Sequence, residues 1–238
     1  MGNQTERSDR LLLIIPAFNE EASIERTVEN ISRNYPEYDY VIINDGSHDR
    51  TSEICHEKGY HIVDQPVNLG LSGAFQTGMK YAFLHGYGCA MQFDADGQHR
   101  PEFIRAMWEE QKKGYDIVIG SRFVTKEKPV SARMLGSRLI AWAIFVTTGH
   151  RIKDPTSGMR LFGRNAIREF ASKANYDPEP DTVSFLLKSG MKVAEVQADM
   201  DERTAGQSYL TFTRSLMYML RMMISILLIQ NFRERKES

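Results

Sequence analysis

The sequence predicts an α/β domain with a mostly parallel central sheet flanked by helices, closing on an apolar, amphipathic C-terminal helix. Three observations carry this. Short continuous apolar runs recur through the first half, each stopped by a proline, an acid or a glycine, as in strands buried on both faces. Segments with apolar residues at helical spacing lie between them, so strand and helix alternate. Polar residues suited to chemistry gather just after the apolar runs, and such sheets bind ligands beyond the carboxyl ends of their strands.

"LLLIIPAFNEE" gives the first strand, Leu11 to Ile15, stopped by Pro16. Asn19 is placed to cap the next helix, whose apolar positions Ile24, Val28 and Ile31 recur at helical spacing. "YVIIND", Tyr40 to Asp45, is a second strand ending in an acid, and "GSHDRTSEIC" reads as a turn and a helix. "HIVDQ" is a short third strand, followed by the glycine-opened helix "GLSGAFQTGMKYAFLHG". "CAMQFD" is a fourth strand, Pro101 opens another helix, and "YDIVIGS", Tyr115 to Ser121, is a fifth strand. Beyond Phe123 the pattern loosens. "TKEKPV" reads as a mobile loop and Ser131 to Thr148 as a helix. Lys192 to Met200 holds one more strand before the long terminal helix. Pro16–Glu20, Asp45, Asp94–Gln98 and Ser121–Arg122 all fall at strand carboxyl ends.

Composition narrows the function classes. The 238 residues suit one large domain or a domain with a short appendage, and 42% hydrophobic against 26% charged residues can build a core. A net charge of −1 gives no basic field for nucleic acid. Two cysteines, Cys55 and Cys89, fit neither a disulfide framework nor a metal cluster, and a reducing cytosol suits them. "MGNQTERSDR" lacks the apolar core of a secretory signal. No run reaches the ~18–20 apolar residues of a membrane span.

Two nucleotide motifs fail. "GAFQTGMK" nearly spells a P-loop, but Met79 stands where lysine belongs, and no G-x-G-x-x-G follows the first strand, as a dinucleotide dehydrogenase would need. The first strand leads instead to Phe18, a flat ring for packing or for a base, and Glu20, an acceptor for base or ribose groups. In "DADGQH" the carboxylates of Asp94 and Asp96, one residue apart, can approach one hard cation, with an oxygen from Gln98 and a nitrogen from His99 nearby. Mg²⁺ or Mn²⁺ takes such ligands and completes its shell with phosphate oxygens and water. A polar turn is the plainer alternative, but burying two unpaired acids beside a central strand is costly.

The order "IIPAFNEE", "IINDGSHDRT", "NLGLSGAFQTG", "FDADGQH", "IGSRF", "DPTSGMRLF" and "ERTAGQS" resembles family 2 glycosyltransferases of the Rossmann-like GT-A fold. Within them it most resembles dolichol-phosphate mannose synthase and bacterial polyprenyl-phosphate glycosyltransferases, from about Leu11 to Ser208. The resemblance implies that Pro16, Phe18, Glu20 and Asp45 line the base and ribose pocket, with Asp94 and Ala95 near ribose and diphosphate. It implies that Asp94, Asp96 and Gln98 hold Mg²⁺ or Mn²⁺ and that Arg122 and Arg203 contact phosphates, which suits the guanidinium fork. Asp96, Arg122 and Asp154 would form the catalytic set, Asp154 either as a general base or as a structural tie. Glu179 and Asp181 are the matching acidic pair or a helix cap. Arg133 and Ser137, on one helix face, would hold an acceptor phosphate or belong to a solvated basic face. Two positions depart from the family pattern: Phe18 replaces a common tyrosine and Tyr209 a common lysine.

The terminal helix is apolar over most of its surface, with a narrow polar stripe of Thr211, Arg214, Tyr218, Arg221 and Ser225. Arg221 disfavours spanning a bilayer. Residues 210–238 are therefore expected to lie in a membrane interface or to dock on a small membrane-protein partner, with a core or homo-oligomer helix as the alternative. Residues 1–209 would be the catalytic domain, with 1–10 a polar tail. The expected activity is inverting, metal-dependent transfer of glucose, N-acetylglucosamine or mannose. The donor would be a nucleotide diphosphate sugar and the acceptor polyprenyl (undecaprenyl) phosphate for cell-envelope glycans, on the inner face of the cell membrane. Transfer to a saccharide hydroxyl, with Asp154 or Asp181 as base, is the alternative enzyme. A non-catalytic nucleotide-sugar-binding subunit is the alternative of another class. UDP and GDP donors both stay open.

Overall fold

The computed structural model describes residues 7–93, 101–172, 177–199 and 212–232. Strands β1 (Leu11–Ala17), β2 (Asp39–Asn44), β3 (Ile62–Asp64) and β4 (Cys89–Gln92) alternate with helices α1 (Ile24–Asn34), α2 (Thr51–Glu57) and α3 (Gly70–Leu84). Next come α4 (Ile104–Gln111), β5 (Ile117–Ser121), α5 (Ala132–Thr148), β6 (Arg160–Gly163) and α6 (Arg164–Ser172). The described chain closes with α7 (Pro180–Lys188), β7 (Val193–Gln197), α8 (Phe212–Leu227) and a 3₁₀ turn, Ile229–Phe232.

The seven strands form one sheet, ordered β3-β2-β1-β4-β6-β5-β7. The unbroken apolar run of β1 has a simple cause: the strand is central and both its faces are covered. Leu12 and Ile14 join Phe75, Phe162 and Phe170 in the core on one side. Leu11, Leu13 and Ile15 join Ile24, Val28 and Ile31 of α1 on the other. Each such fully buried side chain contributes about 1.5–3 kcal/mol of transfer free energy.

One strand escapes the sequence reading. β6 is only four residues long, opens on a charged arginine, and runs antiparallel to both β4 and β5. Direction is what matters here. An antiparallel strand starts at the edge where its parallel neighbours finish, so the segment before Arg160 lies beside the carboxyl ends of β4 and β5. That brings the "DPTSGM" stretch to the same edge as Ser121 and Arg122.

Asn19 does not cap α1. Ser23 holds the N-cap position, without a side-chain cap bond, and Asn19 takes a left-handed backbone, φ 57°, which asparagine tolerates better than most residues. Glu179 stands at the N-cap of α7 but likewise makes no capping bond with its side chain.

Candidate active site

The β1–α1 and β2–α2 loops are stitched together residue by residue. The Asn19 N–H donates to Ser47 Oγ (3.0 Å) and Asn19 Oδ1 accepts from the His48 N–H (2.9 Å). Glu20 N–H donates to Thr51 Oγ1 (2.8 Å), Glu21 N–H to Asp49 Oδ2 (3.0 Å), and Arg50 N–H to Glu21 Oε2 (3.1 Å). Hydrogen bonds from Thr51 and Glu21 outweigh the effect of burial on Asp49 and hold its carboxyl below the usual range. The two loops thus fix one another. Sequence reasoning passed over Ser47, His48, Asp49 and Thr51, whose only local signal is the polar run "GSHDRT".

Pro16, Phe18, Glu20 and Asp45 come together at this edge. Phe18 is half exposed, with His48 edge-on at 6.2 Å. The Glu20 carboxylate accepts from the Ser23 hydroxyl. Asp45 is buried; its N–H donates to Ala17 O (2.8 Å) and its Oδ1 accepts from the Leu69 N–H (2.7 Å), just before α3. Gly46, φ 68°, permits the crossing: a Cβ there would lie 2.8 Å from Asn68 N.

Arg122 and Asp154 form the second group. Arg122 Nε and Nη2 donate to Asp154 Oδ2 (2.7 Å) and Oδ1 (2.8 Å), and the Arg122 N–H also donates to Oδ2 (3.2 Å). Asp154 is fully buried. Burial pushes its carboxyl up, but the bonds and charge of Arg122, with Lys128 behind, hold it below the usual carboxylate range. A carboxylate with both oxygens engaged and a depressed pKa is a weak proton acceptor. Glu195 fixes the same turn, accepting from the Lys153 N–H (2.6 Å) and the Asp154 N–H (2.7 Å).

Ser137 is buried on α5 and opens into this group. Lys128 Nζ donates to its Oγ (3.0 Å), Thr156 Oγ1 donates to it as well (3.3 Å), and Arg138 Nη2 donates to Lys128 O (3.0 Å). Burial draws the Lys128 ammonium below the lysine range; Asp154 and Glu195 oppose this, while Arg122 and Arg138 add to it. One cation thus meets the Ser137 hydroxyl, and the charges of two more lie near enough to act on it. Lys128 was hidden in the sequence as part of an unpatterned loop.

Asp94, Ala95, Asp96, Gln98, His99, Arg203 and Tyr209 lie outside the described residues, as does the Arg133 side chain. Among the described residues no three His, Cys, Asp or Glu side chains gather to hold a metal. The donor set of "DADGQH" still fits Mg²⁺ or Mn²⁺, since its carboxylate and amide oxygens are the ligands such hard cations take.

The C-terminal helix packs on α5 and α7. Gly136 allows the closest approach: a Cβ there would fall 1.7 Å from Met219 Sδ. The polar stripe divides. Ser225 Oγ donates to Asp181 Oδ2 (2.7 Å), and the Tyr218 hydroxyl donates to Glu179, while Arg221 faces outward. Apart from Arg221, the outer face of α8 is largely apolar. Met217 (70% exposed), Leu220 (56%) and Ile224 line α8 and Leu228 follows it, and Leu135, Leu139, Trp142 (54%) and Val146 line α5. No helix among the described residues is long and apolar enough to cross a membrane.

Comparison with known proteins agrees with this architecture. An uncharacterized protein of Methanocaldococcus jannaschii is 32% identical over 79% of this chain and 80% of its own length. The undecaprenyl-phosphate mannosyltransferase of Micrococcus luteus is 28% identical over 84% of this chain and 86% of its own. Among solved structures, glucosyl-3-phosphoglycerate synthase from Mycobacterium tuberculosis, crystallised with Mn²⁺, uridine diphosphate and phosphoglyceric acid, superimposes with a TM-score of 0.63. That match covers 95% of this chain and 80% of the other at 18% identity, a likeness of fold. Glycosyl transferase family 2 matches residues 12–171. The chain belongs to that family and is a glycosyltransferase of GT-A fold.

Proposed function

We propose that this enzyme transfers a hexose from a nucleotide diphosphate donor to a polyprenyl phosphate held at a membrane surface, with inversion at the anomeric carbon. One observation carries the acceptor: the Lys128 ammonium meets the buried Ser137, with Arg122 and Arg138 near enough to act on its charge, on a helix whose outer face is largely apolar. A phosphate on an apolar chain matches both features at once. Exposed apolar stripes on two helices that pack together also support peripheral membrane attachment.

On this reading the stitched loops hold the nucleoside, with Phe18, Glu20 and Asp45 facing it, and Arg203 adds a phosphate contact. Asp94, Asp96 and Gln98 would hold Mg²⁺ or Mn²⁺, which neutralises charge developing on the departing diphosphate. Lys128, Ser137, Arg138 and Arg133 hold the acceptor phosphate. Its oxygen, already anionic, attacks the anomeric carbon; the new carbon–oxygen bond forms as the bond to the diphosphate breaks. No strong base is needed, which agrees with an Asp154 committed to Arg122. Asp154 then positions Arg122, and catalysis rests on alignment and leaving-group stabilisation.

The test is incubation with Mn²⁺, undecaprenyl phosphate and a panel of labelled UDP- and GDP-sugars. Label is expected in the lipid phase with one of the donors. Its absence with every donor overturns the acceptor assignment. The relatives differ in the sugar their names carry, mannosyl in one and glucosyl in the other, so the panel must include both.

A further inference from the structure

Arg160 opens β6 with its guanidinium buried, 2% exposed. A buried cation is tolerated only when well paired, and its partners lie at the junction of three segments. Nη2 donates to Pro155 O (2.7 Å), the carbonyl next to Asp154, and Nη1 donates to Pro178 O (2.5 Å), just before Glu179. Nε finds no hydrogen-bond partner among the described residues. Tyr218, Glu179, Asp154 and Asp181 all stand close enough to act on its charge. Glu179 in turn accepts from the Tyr218 hydroxyl on α8.

The outcome is a path inside the protein from the helix that carries the exposed apolar face to the loop that fixes Arg122. It runs from the Tyr218 hydroxyl to the Glu179 carboxylate, along the backbone to the Pro178 carbonyl, and through the Arg160 guanidinium to the Pro155 carbonyl. Burial raises the Glu179 carboxyl, while the Tyr218 hydrogen bond and the charge of Arg160 draw it back. Ser225 bonds the same helix to Asp181 instead, two residues further along α7.

We propose that Arg160 is a positioning residue: through the Pro178–Glu179 backbone it ties the Asp154 loop to Tyr218, so that the seating of the C-terminal helix sets the acceptor side of the site. The inference rests on the transferase reading for its kinetic consequence, but its structural core does not. With Tyr218 withdrawn, Glu179 loses its donor, the Pro178 carbonyl next to it is anchored less firmly, and Arg160 presents a less fixed partner to the Pro155 carbonyl. Contact of α8 with a membrane would then be felt at Arg122 without any residue of α8 touching substrate.

The test uses the full chain with Tyr218→Phe, Glu179→Gln and, as a comparison, Ser225→Ala. Hydrogen exchange at the amides of residues 153–158 should quicken about tenfold in the first two variants, with β1 and β2 unchanged and little response to Ser225→Ala. The kcat for lipid transfer should fall severalfold with the donor KM unchanged. Unchanged exchange at 153–158 in both folded variants overturns the relay, as does equal acceleration in Ser225→Ala or throughout the sheet. If the unaltered enzyme transfers no sugar to lipid, the acceptor assignment fails, while the exchange measurement still decides the relay.

Discussion

Helices α1 and α8 obey opposite rules. In α1 the apolar residues Ile24, Val28 and Ile31 turn inward, and charged residues turn out, Glu25 pairing with Lys58 and Glu29 with Arg33. In α8 only part of the apolar surface, Met222 and Ile226, is covered. Its half-buried Tyr218 and buried Ser225 reach the acids Glu179 and Asp181 at the start of α7, while Met217, Leu220 and Ile224 face out. The first helix is complete in water. The second lacks an apolar neighbour on one side, and contiguous apolar surface of that kind marks an interaction site. On the proposed reading, the half around β1 and β2 is the donor half, built for a soluble nucleotide, and the half around α5 and α8 is the acceptor half, built for something greasy. Substitutions can separate the two.

The largest effect is expected on the donor side. Asp96→Ala should lower kcat by on the order of a hundredfold or more, equally at every acceptor concentration, while vesicle binding is unchanged. Sedimentation with liposomes beside steady-state assays checks both. A variant that lost membrane binding along with activity would blur the division between halves.

Next in size is the pair joining them. Asp154→Ala strands the Arg122 guanidinium and should cost about 3 kcal/mol of stability, read from urea denaturation. The sign with pH follows from the direction of the shift. The folded pKa of Asp154 is depressed, so its contribution is full above the unfolded carboxylate pKa and is lost as pH falls through the folded one. The stability difference between wild type and Asp154→Ala should therefore shrink in acid. A difference that grew would contradict the pairing.

The apolar face gives a smaller and more selective effect. Trp142→Ser with Leu220→Ser removes two exposed side chains, so folding stability should move by about 0.5 kcal/mol or less per site. Affinity for anionic liposomes should fall about tenfold, as expected when buried apolar area is lost from an interfacial contact. Unchanged liposome binding would show that this face meets protein instead.

The donor half was far more legible in the sequence than the acceptor half, for a physical reason. β1 and β2 announce themselves through local apolar runs, and their polar sequels follow directly, so Pro16, Phe18, Glu20 and Asp45 could be placed together from spacing and family likeness. Asn19 was misread as a cap because asparagine favours both caps and left-handed turns. Only the partners Ser47 and His48, 28 and 29 residues away, decide between them. In the acceptor half nearly every defining contact is distant. Arg122 meets Asp154 across 32 residues and Tyr218 meets Glu179 across 39. The strand that brings the first pair together is too short and too polar at its start to betray itself. The amphipathic character of α8 was readable, but not that its stripe would divide, with Tyr218 and Ser225 inside and Arg221 out.

Lys128 offers the finest probe of that half. Its pKa is lowered chiefly by burial, helped by Arg122 and Arg138 and opposed by Asp154 and Glu195. Its charge is therefore lost at a pH where an ordinary lysine still holds a proton. If it helps to bind the acceptor phosphate, the acceptor KM should rise severalfold on the alkaline side while the donor KM stays level, since donor and acceptor groups are separate. Lys128→Met should raise the acceptor KM at neutral pH and flatten that alkaline rise, and Lys128→Arg, whose charge persists, should flatten it while keeping acceptor affinity nearer to wild type. A rise that survives in Lys128→Arg would place the titration elsewhere and leave Arg138 and Arg133 as the cations that meet the phosphate.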